Sequence, residues 1–154
     1  MGKLHKILDL SSTERNFLLK TLILMAFIRL GLRFLKFQNL LKLLKKISQL
    51  QKNSSERMSK DTVKHTVTVR KIIWAVNVVT RYMPGVKCLA RALTTHVLMK
   101  RYGHTSNLQI GVAKAESGNL EAHAWIEYQE KIVIGNLSDI SRFIPLPSLE
   151  GIKL

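Results

Sequence analysis

At 154 residues the chain is close to the commonest size for one domain with a real core, and its single cysteine excludes an intramolecular disulfide framework. The formal net charge is +15 and is unevenly spread: residues 1–60 carry 13 Lys/Arg against 3 Asp/Glu, residues 61–154 carry 12 against 7. The excess belongs mainly to the N-terminal part, and such a surface attracts nucleic acid, anionic lipid or acidic peptide without choosing among them.

In chain order, Ser11-Ser12-Thr13-Glu14 has the Ser-x-x-Glu spacing of a capping box and predicts a helix from about Thr13 to Phe37. Its uninterrupted apolar run is only Thr21 to Ile28, closely flanked by Lys20, Arg29 and Arg33. A spanning helix needs ~20 mostly apolar residues, and the run begins too late for a secretory signal, so an amphipathic helix, buried or lying on a surface, is expected. Leu40, Leu41, Leu43, Leu44, Ile47 and Leu50 carry a helical stripe alternating with Lys42, Lys45 and Lys46, which predicts a second helix or a kinked continuation. Residues 51–66 turn polar and read as a linker.

Val67 to Tyr82 predicts a third helix, ended by Pro84-Gly85, and Cys88 to Tyr102 a fourth, stopped by Gly103. The period then changes from 3.6 to 2. Leu108, Ile110 and Val112 alternate in one strand, Ala122, Ala124 and Ile126 in a second, and Ile132 to Ile134 supply a third, with turns at Glu116–Asn119 and near Gln129-Glu130. Helices first and an antiparallel sheet afterwards is the α+β pattern. The expected organisation is a basic helical extension over residues 1–60 and a catalytic-size unit over 61–154.

Cys88 stands at the start of its helix, where unpaired amides and the helix dipole favour a thiolate and can hold a developing oxyanion. His123 follows 35 residues later on the second strand, between Ala122 and Ala124, sharing a face with Trp125. If that face meets the start of the Cys88 helix, His123 is the general base for the thiol. This is the layout of papain-like and transglutaminase-like cysteine chemistry; the plain alternatives are a packed core cysteine and a core histidine beside a core tryptophan. His96 lies about 12 Å along the Cys88 helix and cannot partner it. His104 sits at the far pole of that helix, and His5 and His65 fall in the tail and the linker. A third group should orient the imidazole from the neighbouring strand, with Asn136 the better placed and Asp139 the alternative. There is no Cys/His cluster of zinc-finger spacing and no Gly-rich phosphate loop, so neither a metal nor a nucleotide is expected on this chain.

The segments Arg81-Tyr82-Met83-Pro84, Cys88-Leu89, Leu98 to Gly103, Leu108 to Val112, Ala122 to Glu127 and Phe143 to Leu146 together resemble the lasso-peptide biosynthesis leader peptidases, over residues 65 to 147. The resemblance implies a transglutaminase-like cysteine protease core, a Cys-bearing helix packed on a small antiparallel sheet carrying the His, behind a helical extension. It makes Cys88 the nucleophile and His123 the base. Residues 10 to 50 are similar to the basic, Leu-rich helices of the stand-alone members. No strand pattern of a leader-binding domain precedes residue 60, so the resemblance implies a separate leader-recognition protein, a leader-bearing precursor peptide as substrate and a lasso cyclase acting afterwards. The family's third member is often an Asp about a dozen residues after the His; here that region reads Ile134-Gly135-Asn136, leaving a Cys-His-Asn set, a displaced Asp139 or a dyad open. Trp125 is a candidate wall of the site and Arg81 a contact for an acidic or C-terminal substrate group.

The expected activity is therefore leader removal through a Cys88 thioester in a reducing cytoplasm, with no nucleic-acid partner and with peripheral membrane contact through residues 13–50 as an added option. Two other readings stand beside it. One is an acyltransferase or deamidase using the same thioester; the other is a non-catalytic basic module gripping nucleic acid or anionic membrane, with a salt-sensitive affinity.

Overall fold

The computed structural model describes residues 10–36, 38–44, 46 and 67–147. Helix α1 spans Ser12–Phe34 and begins on the capping box read from the sequence: the Ser11 Oγ accepts from the Glu14 N–H, and the Glu14 carboxylate accepts from the Ser11 N–H at 3.1 Å. It ends three residues before the predicted Phe37, because Leu35 turns extended (φ −108°, ψ 148°). Residues 38–44 are helical again. They fold back so closely that a Cβ on Gly31 would stand 2.5 Å from the Leu40 Cδ1, so any side chain there would require Leu40 to shift. The linker predicted over 51–66, with His5 and His65, lies outside the described residues.

Helix α2 spans Val69–Tyr82, two residues shorter than predicted because the Thr68 side chain caps it by accepting from the Lys71 N–H. Helix α3 spans Cys88–Arg101. The strands are β1 (Asn107–Lys114), β2 (Leu120–Tyr128), β3 (Lys131–Ile134) and β4 (Ile144–Pro145), in the antiparallel order β3-β2-β1-β4. The fourth strand was not foreseen: two residues pairing with Gly111 and Val112 are too short to show alternation. Between β2 and β3, Gln129 and Glu130 both take positive φ (49° and 62°), the geometry of a two-residue hairpin whose twist matches the strands.

The layers meet in one main core, where Met25 of α1, Ile72 and Val76 of α2 and Leu98 and Met99 of α3 pack with Ala124, Ile126 and Ile134 of the sheet. A second cluster joins Ile28, Leu40, Leu41 and Leu44 to Leu93 and Val97 of α3. Helix α1 and residues 38–44 thus share buried surface with the helix that carries Cys88. A third, smaller cluster of Ala113, Trp125 and Phe143 gathers separately.

Candidate active site

Cys88 is the first residue of α3, and the residue before it, Lys87, takes the N-cap position without any side-chain cap. The opening amides of α3 therefore have neither an intrahelical acceptor nor a capping oxygen, and with no acidic residue in the first turn they are available to an anion. The turn leading into Cys88 is held from α1: the Arg29 Nη1 donates to the Pro84 carbonyl at 2.8 Å. Gly85 takes φ +74° beside that guanidinium. The thiol is free and half-buried, packed against the main core. One turn on, the Arg91 Nη2 donates to the Asn77 Oδ1 at 3.0 Å and ties α3 to α2, while the Arg91 Nε is buried with no partner.

His123 lies on β2 opposite Gly111 of β1. Its ring stacks on Trp125 (centroids 6.2 Å apart, planes 17° from parallel) and approaches Phe143 at 5.5 Å. Trp125 crosses Gly111 so closely that a Cβ there would stand 2.8 Å from the indole, and its Nε1 donates to the Glu127 carboxylate at 2.9 Å. The imidazole is thus packed by aromatic rings and cannot turn freely.

The orienting bond comes from the backbone. The His123 Nε2 lies 2.7 Å from the Gly135 carbonyl oxygen. A carbonyl can only accept, so Nε2 carries the proton and, in the neutral ring, Nδ1 keeps its lone pair. Gly135 reaches this position with φ +82°, folded so tightly on β2 that a Cβ would stand 2.7 Å from the Ala124 carbonyl oxygen. Among the described residues no hydrogen bond joins the ring to Asn136 or Asp139, and the contact on Nε2 is made by the main chain. Asn136 is exposed, and Asp139 accepts from the Arg142 Nε at 2.6 Å, with Arg142 also paired to Glu121. The physical reason is the left-handed turn at Gly135, which puts the main chain where a side chain was expected. A search for polar side chains could not find it; the glycine directly after β3 was its only trace in the sequence.

The structure therefore brings His123 and Trp125 together and packs α3 on β2. It makes no hydrogen bond between the Cys88 thiol and the imidazole among the described residues. Arg81 is exposed on the last turn of α2. Trp125 is 4 % exposed, so it supports the histidine from beneath and offers little surface to a substrate.

A family model described as "Transglutaminase-like superfamily" matches residues 31–148. The chain belongs to the transglutaminase-like superfamily. The match begins inside α1 and takes in α2, α3 and the whole sheet, so Cys88, His123 and Gly135 all lie within it. No curated protein and no solved structure matches the chain. Transglutaminase-like membership suggests cysteine-protease or acyltransferase-type chemistry, and the α+β architecture with a Cys-led helix on an antiparallel sheet agrees with it.

Two further histidines of this transglutaminase-like domain serve its structure. The His104 Nε2 donates to the Val67 carbonyl at 2.7 Å, tying the α3–β1 connection to the start of α2. His96 lies 2.9 Å from the Ser106 Oγ, and burial, helped by the Lys100 charge, lowers its pKa from 6.5 to about 4. A histidine whose native pKa lies below its unfolded value is stabilising above the unfolded pKa, and that contribution falls away as pH drops from 6.5 toward 4. At pH 5 about 2 kcal/mol should be lost, at 1.36 kcal/mol per unit. Unfolding free energies from urea titrations at pH 7 and pH 5 are expected to differ by this amount in the wild type and by clearly less in His96→Gln.

Proposed function

We propose that this protein is a cysteine endopeptidase that removes the leader from a ribosomally made lasso-peptide precursor. The observation that carries the reading is the pair of anchored elements: a lone cysteine leading an uncapped helix, and a histidine locked by Gly135 with Nδ1 left as the basic nitrogen, on the strand against which that helix packs. The resemblance over residues 65 to 147 supplies the substrate class.

On this reading Nδ1 of His123 takes the thiol proton as Sγ attacks the scissile carbonyl, and the opening amides of α3 receive the oxyanion. The imidazolium returns the proton to the leaving amine, the core peptide departs and the leader stays as a thioester on Cys88. Water then attacks with His123 as base, the C–S bond breaks, and the leader leaves as a carboxylic acid with the thiol restored. In proteins without substrate such nucleophile–base contacts are often long and tighten in the complex, which accommodates the absence of a Cys88–His123 hydrogen bond here. Asn136 and Asp139 have no direct part in this scheme, and Arg81, exposed on the last turn of α2, is the proposed contact for a substrate carboxylate. A reducing cytoplasm suits the lone thiol. A separate leader-recognition protein would present the precursor, and a lasso cyclase would close the ring on the released core; the chain itself needs no cofactor.

The test is to incubate precursor and leader-recognition partner with the protein and read intact masses. Leader and core together heavier than the precursor by one water identify hydrolysis at a peptide bond. An uncut precursor that has lost ammonia by gaining an amine, or exchanged an amide for an acid, would instead place the thioester in an acyltransferase or deamidase.

A further inference from the structure

Helix α1 buries Phe17, Thr21, Met25, Ile28 and Gly31 on one side. Its opposite side is also apolar: Leu19, Ile23, Leu30 and Phe34 are 53 %, 60 %, 56 % and 75 % exposed, with Phe27 beside them at 39 %. Steps of four, four, three and four residues keep these five side chains on one stripe along most of the helix. A helix apolar all round belongs in an interior, yet this one has one wall open to solvent. No helix among the described residues is long and apolar enough to cross a membrane, so the open wall is not half of a spanning segment.

Charge selects the occupant. Residues 15–46 hold eight Lys/Arg and not one Asp or Glu. Arg15, Lys20, Arg33 and Lys36 are exposed on α1 or directly after it, in reach of whatever covers the stripe. Arg29 is excepted, being engaged with Pro84. An apolar stripe bordered only by cations fits a surface that is apolar within and anionic at its rim, which describes an acidic phospholipid bilayer lying against the helix. A protein groove would ask for the stripe alone and gives no reason for the one-signed border.

We propose that α1 is an in-plane membrane anchor: Leu19, Ile23, Phe27, Leu30 and Phe34 enter the headgroup–acyl boundary of an anionic bilayer, and the basic side chains meet lipid phosphates. The inference is independent of the proposed peptidase activity. Because Arg29 on the same helix holds the turn before Cys88, the anchor would also set the candidate active site close to the bilayer surface.

The full chain is to be floated with vesicles of phosphatidylcholine alone and of phosphatidylcholine with phosphatidylglycerol. Binding is expected to the anionic vesicles only, to weaken at least tenfold between 50 and 500 mM salt, and to be lost in Ile23→Ser/Leu30→Ser/Phe34→Ser with the melting temperature kept. A second variant, Lys20→Gln/Arg33→Gln, leaves the apolar stripe intact and is expected to bind anionic vesicles several-fold more weakly. Wild type that stays with the lipid-free fraction overturns the proposal, as does binding unchanged in both variants. A concentration-dependent dimer abolished by the serine substitutions, or a collapse of the melting temperature, overturns it as well, the first assigning the stripe to a second copy and the second to a segment of the same chain.

Discussion

Replacing Cys88 with alanine is expected to stop release of leader in the precursor assay, with a fall in rate of at least ~10³, the scale on which nucleophile removal acts in covalent hydrolases. The substitution should leave the fold in place. Cys88 is half-buried at a helix start, alanine is a strong helix former, and no hydrogen bond of the thiol is lost among the described residues. Melting temperatures within a few degrees of wild type would separate lost chemistry from lost structure. Undiminished cleavage by Cys88→Ala would end the assignment of this residue as nucleophile, whatever the substrate.

The second large effect is expected at Gly135. Alanine there must adopt φ +82° and place its Cβ 2.7 Å from the Ala124 carbonyl oxygen and 3.0 Å from the Trp125 Cβ. A left-handed non-glycine residue alone costs of order 1 kcal/mol, and a backbone clash in a strand pair raises this to about 2 kcal/mol or more. For a chain of this length the melting temperature should drop by roughly 5 °C or more. Relieving the clash shifts the Gly135 backbone, whose carbonyl holds the His123 Nε2, so leader cleavage is expected to fall at least tenfold at temperatures where the variant is still folded. Asn136→Ala is the control. Its side chain makes no contact with the ring, and both stability and cleavage should stay near wild type. A variant at Asn136 that lost cleavage while Gly135→Ala kept it would return the orienting role to the side chain.

The contrast between those two positions marks what the sequence made legible. The Ser11–Glu14 box, the stop at Pro84-Gly85 and the alternation of Ala122, Ala124 and Ile126 are local signals, written in the residues that form them, and the corresponding elements are present. The α+β class followed from their order. Cys88 could be placed at the start of its helix and His123 beside Trp125 for the same reason. What the sequence concealed is non-local or carries no side chain. The Gly135 carbonyl depends on a left-handed turn reaching a strand residue twelve positions earlier. The two-residue β4 depends on pairing with residues 32 and 34 positions earlier, and the Arg29 bond to Pro84 crosses 55. Asp139 was a reasonable candidate by spacing, but Arg142, three residues on, is the closer and stronger partner for a carboxylate in that short helical turn.

Near-parallel fates for Arg29 and the exposed stripe on α1 also alter how the N-terminal part is understood. Read as sequence it is a basic extension; in the fold it contributes Ile28 to the core under α3 and a guanidinium to the turn before the thiol. Arg15, Lys20, Arg33 and Lys36 are exposed, where their charge can act on something other than this chain.

Cys88 and His123 are proposed to act as a pair although no hydrogen bond joins them in this structure. The most direct measurement is the initial rate of Cys88 alkylation by iodoacetamide at neutral pH, read by intact mass, in wild type and in His123→Ala. Because this is the only cysteine, every adduct reports on it. Loss of the base should slow alkylation at least tenfold with the fold retained by circular dichroism. Equal rates in the two proteins would contradict the pairing and leave Cys88 an ordinary half-buried thiol.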